Sequence, residues 1–245
     1  MSASPPAPGA SSNEKHTLRR DLHALLYLVA LYLLLAYLIL PGWWRLHKRH
    51  WAWLEDPRTT TTAQGIAGDP FNVVLIGSRD EVVQSLLAAG WHAADPTTWW
   101  TSVHISRSVL LGQPYPDAPV SNLYLWGRRQ DLAFERAAGK SPRRRHHVRF
   151  WLSDRIADDD RPVWLGAATF DRSVGLSHTT AQVTHHIAAD VDAERDLLMQ
   201  DLAEAGRLLR VGMVPGVGPT RHGRNGGGDR YFTDGYRKVG VLRPG

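Results

Sequence analysis

The sequence predicts an α+β domain on a mostly antiparallel sheet, preceded by one transmembrane helix. Two observations carry that expectation. A continuous apolar run without a charge extends from Ala24 to Leu40, and strand-like segments follow it in succession, with the helix-like segments grouped before and between them. Composition agrees: 245 residues, 43% of them hydrophobic, provide for one ordinary domain plus appendages. The chain has no Cys, which excludes structural disulfides, thiolate zinc sites, iron–sulfur clusters and a Cys nucleophile together. With 29 Lys and Arg against 24 Asp and Glu, the net charge of +5 permits anionic partners without requiring nucleic acid, and no nucleic-acid partner is expected.

Pro41-Gly42-Trp43-Trp44 extends the apolar run to nearly the length that crosses a hydrocarbon core. Tyr27, Tyr32 and Tyr37 recur along it, and Trp43, Trp44, Trp51 and Trp53 cluster past its end, where amphipathic rings favour the lipid–water interface. A cleavable signal is the alternative. Against it stand the long polar lead and Pro-Gly-Trp-Trp at the place where a small-residue cleavage site belongs, so the run reads as an uncleaved, single-pass anchor in the cell membrane. Lys15, Arg19 and Arg20 precede it and Arg45, Lys48, Arg49 and Arg58 follow, which favours a cytoplasmic C-terminal domain by one basic residue. The expected organisation is a disordered tail over 1–22, the helix over 23–44, a juxtamembrane segment and linker over 45–69, and the α+β domain over 70–245.

Within the domain, Phe71 to Gly77 reads as a β-branched strand, followed by Ser78 and Glu81 in capping-box spacing and a helix to about Ala89. A second helix fits Thr97 to Leu111. Strands are expected at Asn122–Glu135, Arg145–Leu152, Pro162–Asp171 and Gln182–Ala189, then a helix at Asp192–Ala205 and strands near Leu208–Val214 and Tyr231–Leu242. Thr233-Asp234-Gly235 reads as a turn.

Several clusters resemble the LssY C-terminal domain family of bacterial proteins, whose activity is largely undefined. They include Tyr115 to Ser121, Gly127-Arg128-Arg129-Gln130-Asp131-Leu132-Ala133-Phe134, Arg145-His146-His147-Val148-Arg149-Phe150-Trp151, Trp164 to Thr169, Thr184-His185-His186-Ile187, Asp190 to Asp196 and Thr233-Asp234-Gly235. The resemblance covers roughly 70–242. Because relatives of this type can be joined to membrane enzymes of phosphatidic-acid-phosphatase or DedA type, it implies phospholipid or polyprenyl-phosphate ligands.

Strand parity sorts the polar residues. In Arg145–Leu152, His146, Val148, Phe150 and Leu152 share the face expected to meet the core, leaving Arg145, His147, Arg149 and Trp151 on the other. In Val183–Asp190, His185 falls with Val183 and Ile187 and reads as a satisfied core histidine, whereas His186 falls with Thr184 and Asp190. Thr169 and Asp171 share a face. If the strands adjoin, His147, His186, Asp131 and Asp171 form an acid–base set and Arg128, Arg129, Arg145 and Arg149 an anion-binding set.

Three functions compete: a domain that binds a phosphate-bearing or other anionic ligand such as a lipid headgroup, a phosphoester hydrolase with His acid–base groups, and a docking module for a membrane-protein partner in which the arginines serve structure. His147, His186, Asp131 and Asp171 are of metal-ligand type, but there is no His-Glu-x-x-His, helical His pair or EF-hand loop, so neither metal nor cofactor is expected. Gly216, Gly218 and Gly226 to Gly228 lack a phosphate-loop ending and read as a loop, with the alternative that glycine amides close over a phosphorylated ligand.

Overall fold

A computed structural model describes residues 10–43, 58–94, 122–139, 144–216 and 221–245. The predicted helix over Thr97–Leu111 lies outside the described residues. Helix α1 (Ala10–Leu34) continues through a π-helical turn at Leu35–Ile39, and Arg19–Trp43 is long and apolar enough to cross a membrane. Helix extends well into the tail expected to be disordered, because adding a residue to a formed helix costs far less than nucleating one.

The strands are β1 (Thr59–Thr61), β2 (Ala67–Pro70), β3 (Val73–Ile76), β4 (His92–Ala93), β5 (Tyr124–Leu125), β6 (Arg128–Arg129), β7 (Leu132–Ala137), β8 (Arg145–Ile156), β9 (Pro162–Leu176), β10 (Val183–Ile187), β11 (Leu208–Pro215), β12 (His222–Arg224), β13 (Arg230–Phe232) and β14 (Tyr236–Leu242). Among the described residues, the domain helices are α2 (Arg79–Ala88) and α3 (Val191–Glu204). The main sheet runs β11-β14-β3-β9-β8-β7-β4, with β10 also on β9, and every pair in it is antiparallel except β14 with β3. The chain is thus α+β, as its pattern of segments predicts. α2 starts where the capping box requires: the Ser78 hydroxyl accepts from Glu81 N–H at 3.2 Å, and the Glu81 carboxylate accepts from Ser78 N–H at 2.7 Å.

Both faces of the main sheet are covered. On one, Val82 and Leu86 of α2 and Leu198, Met199 and Leu202 of α3 pack with Val73, Leu75, Phe134, Val148, Phe150 and Trp164. On the other, Val74, Trp151, Leu165 and Ala167 meet Phe71, Leu123 and Leu125, beneath a small sheet of order β2-β1-β5-β6. That small sheet corrects two expectations. The segment expected to be a linker up to Asp69 supplies β1 and β2, with Thr60 and Asp69 buried, because its threonines have the β-branching that suits a pleated surface. The single strand expected over Asn122–Glu135 is three strands, since Trp126 (φ 51°) and Gly127 (φ 74°) form a two-residue hairpin turn with both residues left-handed. A Trp in that conformation is uncommon, so the sequence gives little sign of it.

Asn72 fastens the layers. Its amide donates to the carbonyls of Ala168 (2.9 Å) and Val191 (2.8 Å) and its oxygen accepts from Ala168 N–H (2.9 Å), joining the entry of β3, the middle of β9 and the start of α3 inside the protein. Asn72→Ala orphans those three backbone groups, at about 1–3 kcal/mol for a buried polar group left unsatisfied. A loss of about 3 kcal/mol is expected, read as a lower urea midpoint with an unchanged slope for the detergent-solubilised chain.

Candidate functional site

Along the face that meets the small sheet, the main sheet changes from apolar to charged. Trp151 opposes Leu165 and Arg149 opposes Ala167; then His147 opposes Thr169 and Arg145 opposes Asp171. All four of the last residues, and Arg149, are buried. Here the parity argument succeeds: Arg145, His147 and Arg149 share a face, and the neighbouring strand brings Asp171 to them.

A continuous network results. Arg145 donates to Glu135 Oε2 at 2.8 Å and to Asp171 Oδ2 at 3.3 Å. Asp171 Oδ1 lies 2.8 Å from His147 Nε2, and His147 Nδ1 lies 3.1 Å from a guanidinium nitrogen of Arg149, which also donates to Asp69 Oδ2 at 3.2 Å. Because a guanidinium only donates, Nδ1 of His147 accepts, and the ring proton is assigned to Nε2, which donates to Asp171. Both ring nitrogens are therefore engaged within the protein. Burial alone would raise the Asp171 carboxyl, but attraction to His147, the hydrogen bond from it, and nearby His185 and Arg145 hold it well below the usual carboxylate range.

The network forms the floor of a cavity of ≈ 310 Å³ between the two sheets. Thr62, Gly68 and Asp69 close it on the small-sheet side, Ser177, Thr180 and Gln182 come from the turn between β9 and β10, and Asn225, Gly226 and Gly227 from the loop between β12 and β13. The glycine loop thus does border the charged face.

His185, read from sequence as a core histidine, reaches this cavity. Its Nε2 lies 3.4 Å from Arg145 and its Nδ1 4.0 Å from Asp171 Oδ2. The face assignment failed because Val183 and Ile187, taken as evidence of core, line the cavity with it. Burial pushes the imidazole down to about 4; Asp171 opposes that shift, while Arg145, His147 and Arg149 add to it.

His186, expected in the set, points to the opposite side of β10, where its Nδ1 lies 2.8 Å from Asp229 Oδ1. Its ring lies so close to Gly175 that a β-carbon there would sit 2.6 Å from Nε2. Asp131 and Arg128 are also elsewhere. They pair with each other, Asp131 accepts from Leu152 N–H at 2.7 Å and Arg128 donates to the Leu152 carbonyl, so they clamp the far end of β8. Arg129 is exposed on β6. His146 is the satisfied core histidine expected, held by Glu194 at 2.8 Å, and burial raises that Glu194 carboxyl. Sequence reasoning missed Glu135, Asp69 and His185. For Glu135 the only signal is pairing with β8, and for Asp69 there is none within its own segment.

The LssY C-terminus family model matches residues 53–236. No curated protein and no solved structure matches the chain.

The electrostatics set a pH dependence. His185 goes from an ordinary 6.5 in the unfolded chain to about 4 when folded, so between those values the unfolded chain binds a proton that the folded one refuses. Stability is full above about pH 6.5 and falls as pH drops through that window, by on the order of 3 kcal/mol at most. Asp171, whose folded value is depressed, adds a loss only below about pH 4. Thermal midpoints of the full chain from pH 7 to 4 are expected to decline, and to decline less in His185→Gln.

Proposed function

The chain belongs to the LssY C-terminus family, and from that premise we propose that it is a membrane-anchored domain whose cavity binds the phosphate-bearing headgroup of a lipid. The observation that carries this reading is the placement of Arg145, Arg149, His147 and Asp171 under an open cavity rather than in a sealed core. Buried ion pairs are poor stabilisers, because desolvation consumes much of their attraction, so a network of them beside a cavity suggests use.

Charge refines the ligand. Two guanidinium groups face three carboxylates, Glu135, Asp171 and Asp69, so these five groups sum to a charge of −1. That favours a singly charged phosphodiester over a doubly charged phosphomonoester, with hydroxyl and amide groups of the walls as hydrogen-bond partners. The lipid source is supported by the rim. Leu176 and Val183, both about half exposed, flank the turn that contributes Ser177, Thr180 and Gln182. An apolar rim on a domain that follows an apolar, membrane-length helix suits entry from a lipid boundary.

The hydrolase alternative draws less support from the two histidines it named, since both ring nitrogens of His147 are engaged within the protein and His186 lies across the strand, leaving His185 as the imidazole that borders the cavity. The same geometry makes His147 a group that fixes Asp171 and Arg149.

Calorimetry on the full chain in detergent provides the test, with glycerophosphoglycerol, inorganic phosphate and a polyprenyl phosphate as probes. The phosphodiester is expected to bind best. Gln182→Trp, which obstructs the rim while keeping every buried charge, is expected to weaken it at least tenfold. Equal affinity in that variant, or no binding by any probe to protein with an intact near-UV spectrum, sinks the reading in favour of the docking module.

A further inference from the structure

On the other side of β10 from the cavity, three metal-ligating side chains converge. We propose that His178, His186 and Asp229 bind a divalent zinc ion. The donor atoms of the three all lie within 4.8 Å of one another. His186 Nδ1 is 2.8 Å and His178 Nε2 is 3.9 Å from the same oxygen, Asp229 Oδ1, and the two imidazoles sit with centroids 5.2 Å apart. Donors held about 2.0–2.1 Å from one tetrahedral ion stand a little over 3 Å apart, so the observed spacings bracket that value and close by small side-chain rotations.

The support around the site is what a metal carboxylate needs. Asp229 Oδ2 accepts from Ile187 N–H at 3.1 Å, which fixes the carboxylate with Oδ1 turned to the two rings. Asn225 holds the loop, its side-chain oxygen accepting from Asp229 N–H at 2.9 Å and its main chain receiving that of Gly228 at 2.9 Å. His178 is positioned from its backbone, which donates to Gly227 O at 2.8 Å, and Ser177 Oγ accepts from Thr179 and Thr180, each at 3.1 Å. The turn before β10, β10 itself and the distant loop between β12 and β13 thus preorganise the set.

Burial separates this arrangement from a plain His–Asp hydrogen bond. The Asp229 side chain is 4% exposed and that of His186 14%, yet His178 is 63% exposed and too far from the carboxylate to hydrogen bond with it. One carboxylate and two imidazoles suit a borderline ion such as zinc, and the exposed side leaves a fourth position for water or a ligand oxygen. One negative charge under a divalent ion leaves a local charge of +1. None of the three residues lines the cavity, so the inference stands whether or not the headgroup reading does.

The tag-free full chain in detergent, stripped with chelator, tests it by zinc titration in a calorimeter. One ion per chain is expected, and a rise in thermal midpoint with bound zinc. His178→Ala removes an exposed side chain, so its metal-free midpoint stays that of the parent while zinc affinity falls at least tenfold; His222→Ala, an exposed histidine elsewhere, leaves affinity unchanged. Cobalt substitution adds a second readout, because the visible absorption of the bound ion reports its coordination number and vanishes in Asp229→Asn. The inference is overturned by the absence of saturable zinc binding, or by binding that His178→Ala leaves intact.

Discussion

Burial of Asp69, Arg149, His147, Asp171, Arg145 and Glu135 as one alternating chain is the constraint on which the rest of this domain depends. Each charge alone would cost several kcal/mol to remove from water, and each is tolerable because the next group in the chain opposes it. The chain needs groups from four strands: Asp69 from β2, Glu135 from β7, Arg145, His147 and Arg149 from β8, and Asp171 from β9. Removing any one strand from its place leaves a buried charge without its partner. The polar stretch therefore fixes the relation of the small sheet to the main one more stringently than the apolar contacts around Trp151, which would tolerate sliding.

Two polar centres flank a single strand. β10 carries His185 into the cavity and His186 to Asp229 on the reverse, and the turns on either side, Ser177 to Gln182 and Asn225 to Gly228, serve both. The cavity centre already pairs its two guanidinium groups with carboxylates; the His178, His186 and Asp229 cluster has one carboxylate and an open side. Their chemistry differs accordingly. The first suits recognition by shape and hydrogen bonding, and the second suits a cation.

How far the fold and site could be read in advance depended on the range of the interaction. α2, its capping box, α3 and the long antiparallel strands followed from periodicity and local caps, which act within a few residues. Alternation correctly divided Arg145, His147 and Arg149 from His146 and Val148. It misassigned β10, because an apolar Val183–His185–Ile187 face lines a cavity here, and alternation tells which residues share a face but not what that face meets. The hairpin at Trp126-Gly127 and the strand content of Thr59 to Pro70 escaped for a related reason, since both are stabilised by partners distant in sequence.

By itself the sequence determined the family, the α+β class, the apolar helix long enough for a membrane and the grouping of three floor residues on one strand face. These follow from composition, from the 3.6 and 2.0 residue periods and from motif order, all of which act along the chain. Tertiary structure alone decided that Asp69 and Glu135 neutralise the arginines, that His185 rather than His186 faces the cavity, that Asp131 clamps a strand end, and that His178 and Asp229 meet His186. Each of those depends on which strands pair and in what register, and pairing energy comes from burial between segments tens of residues apart, which no local pattern encodes.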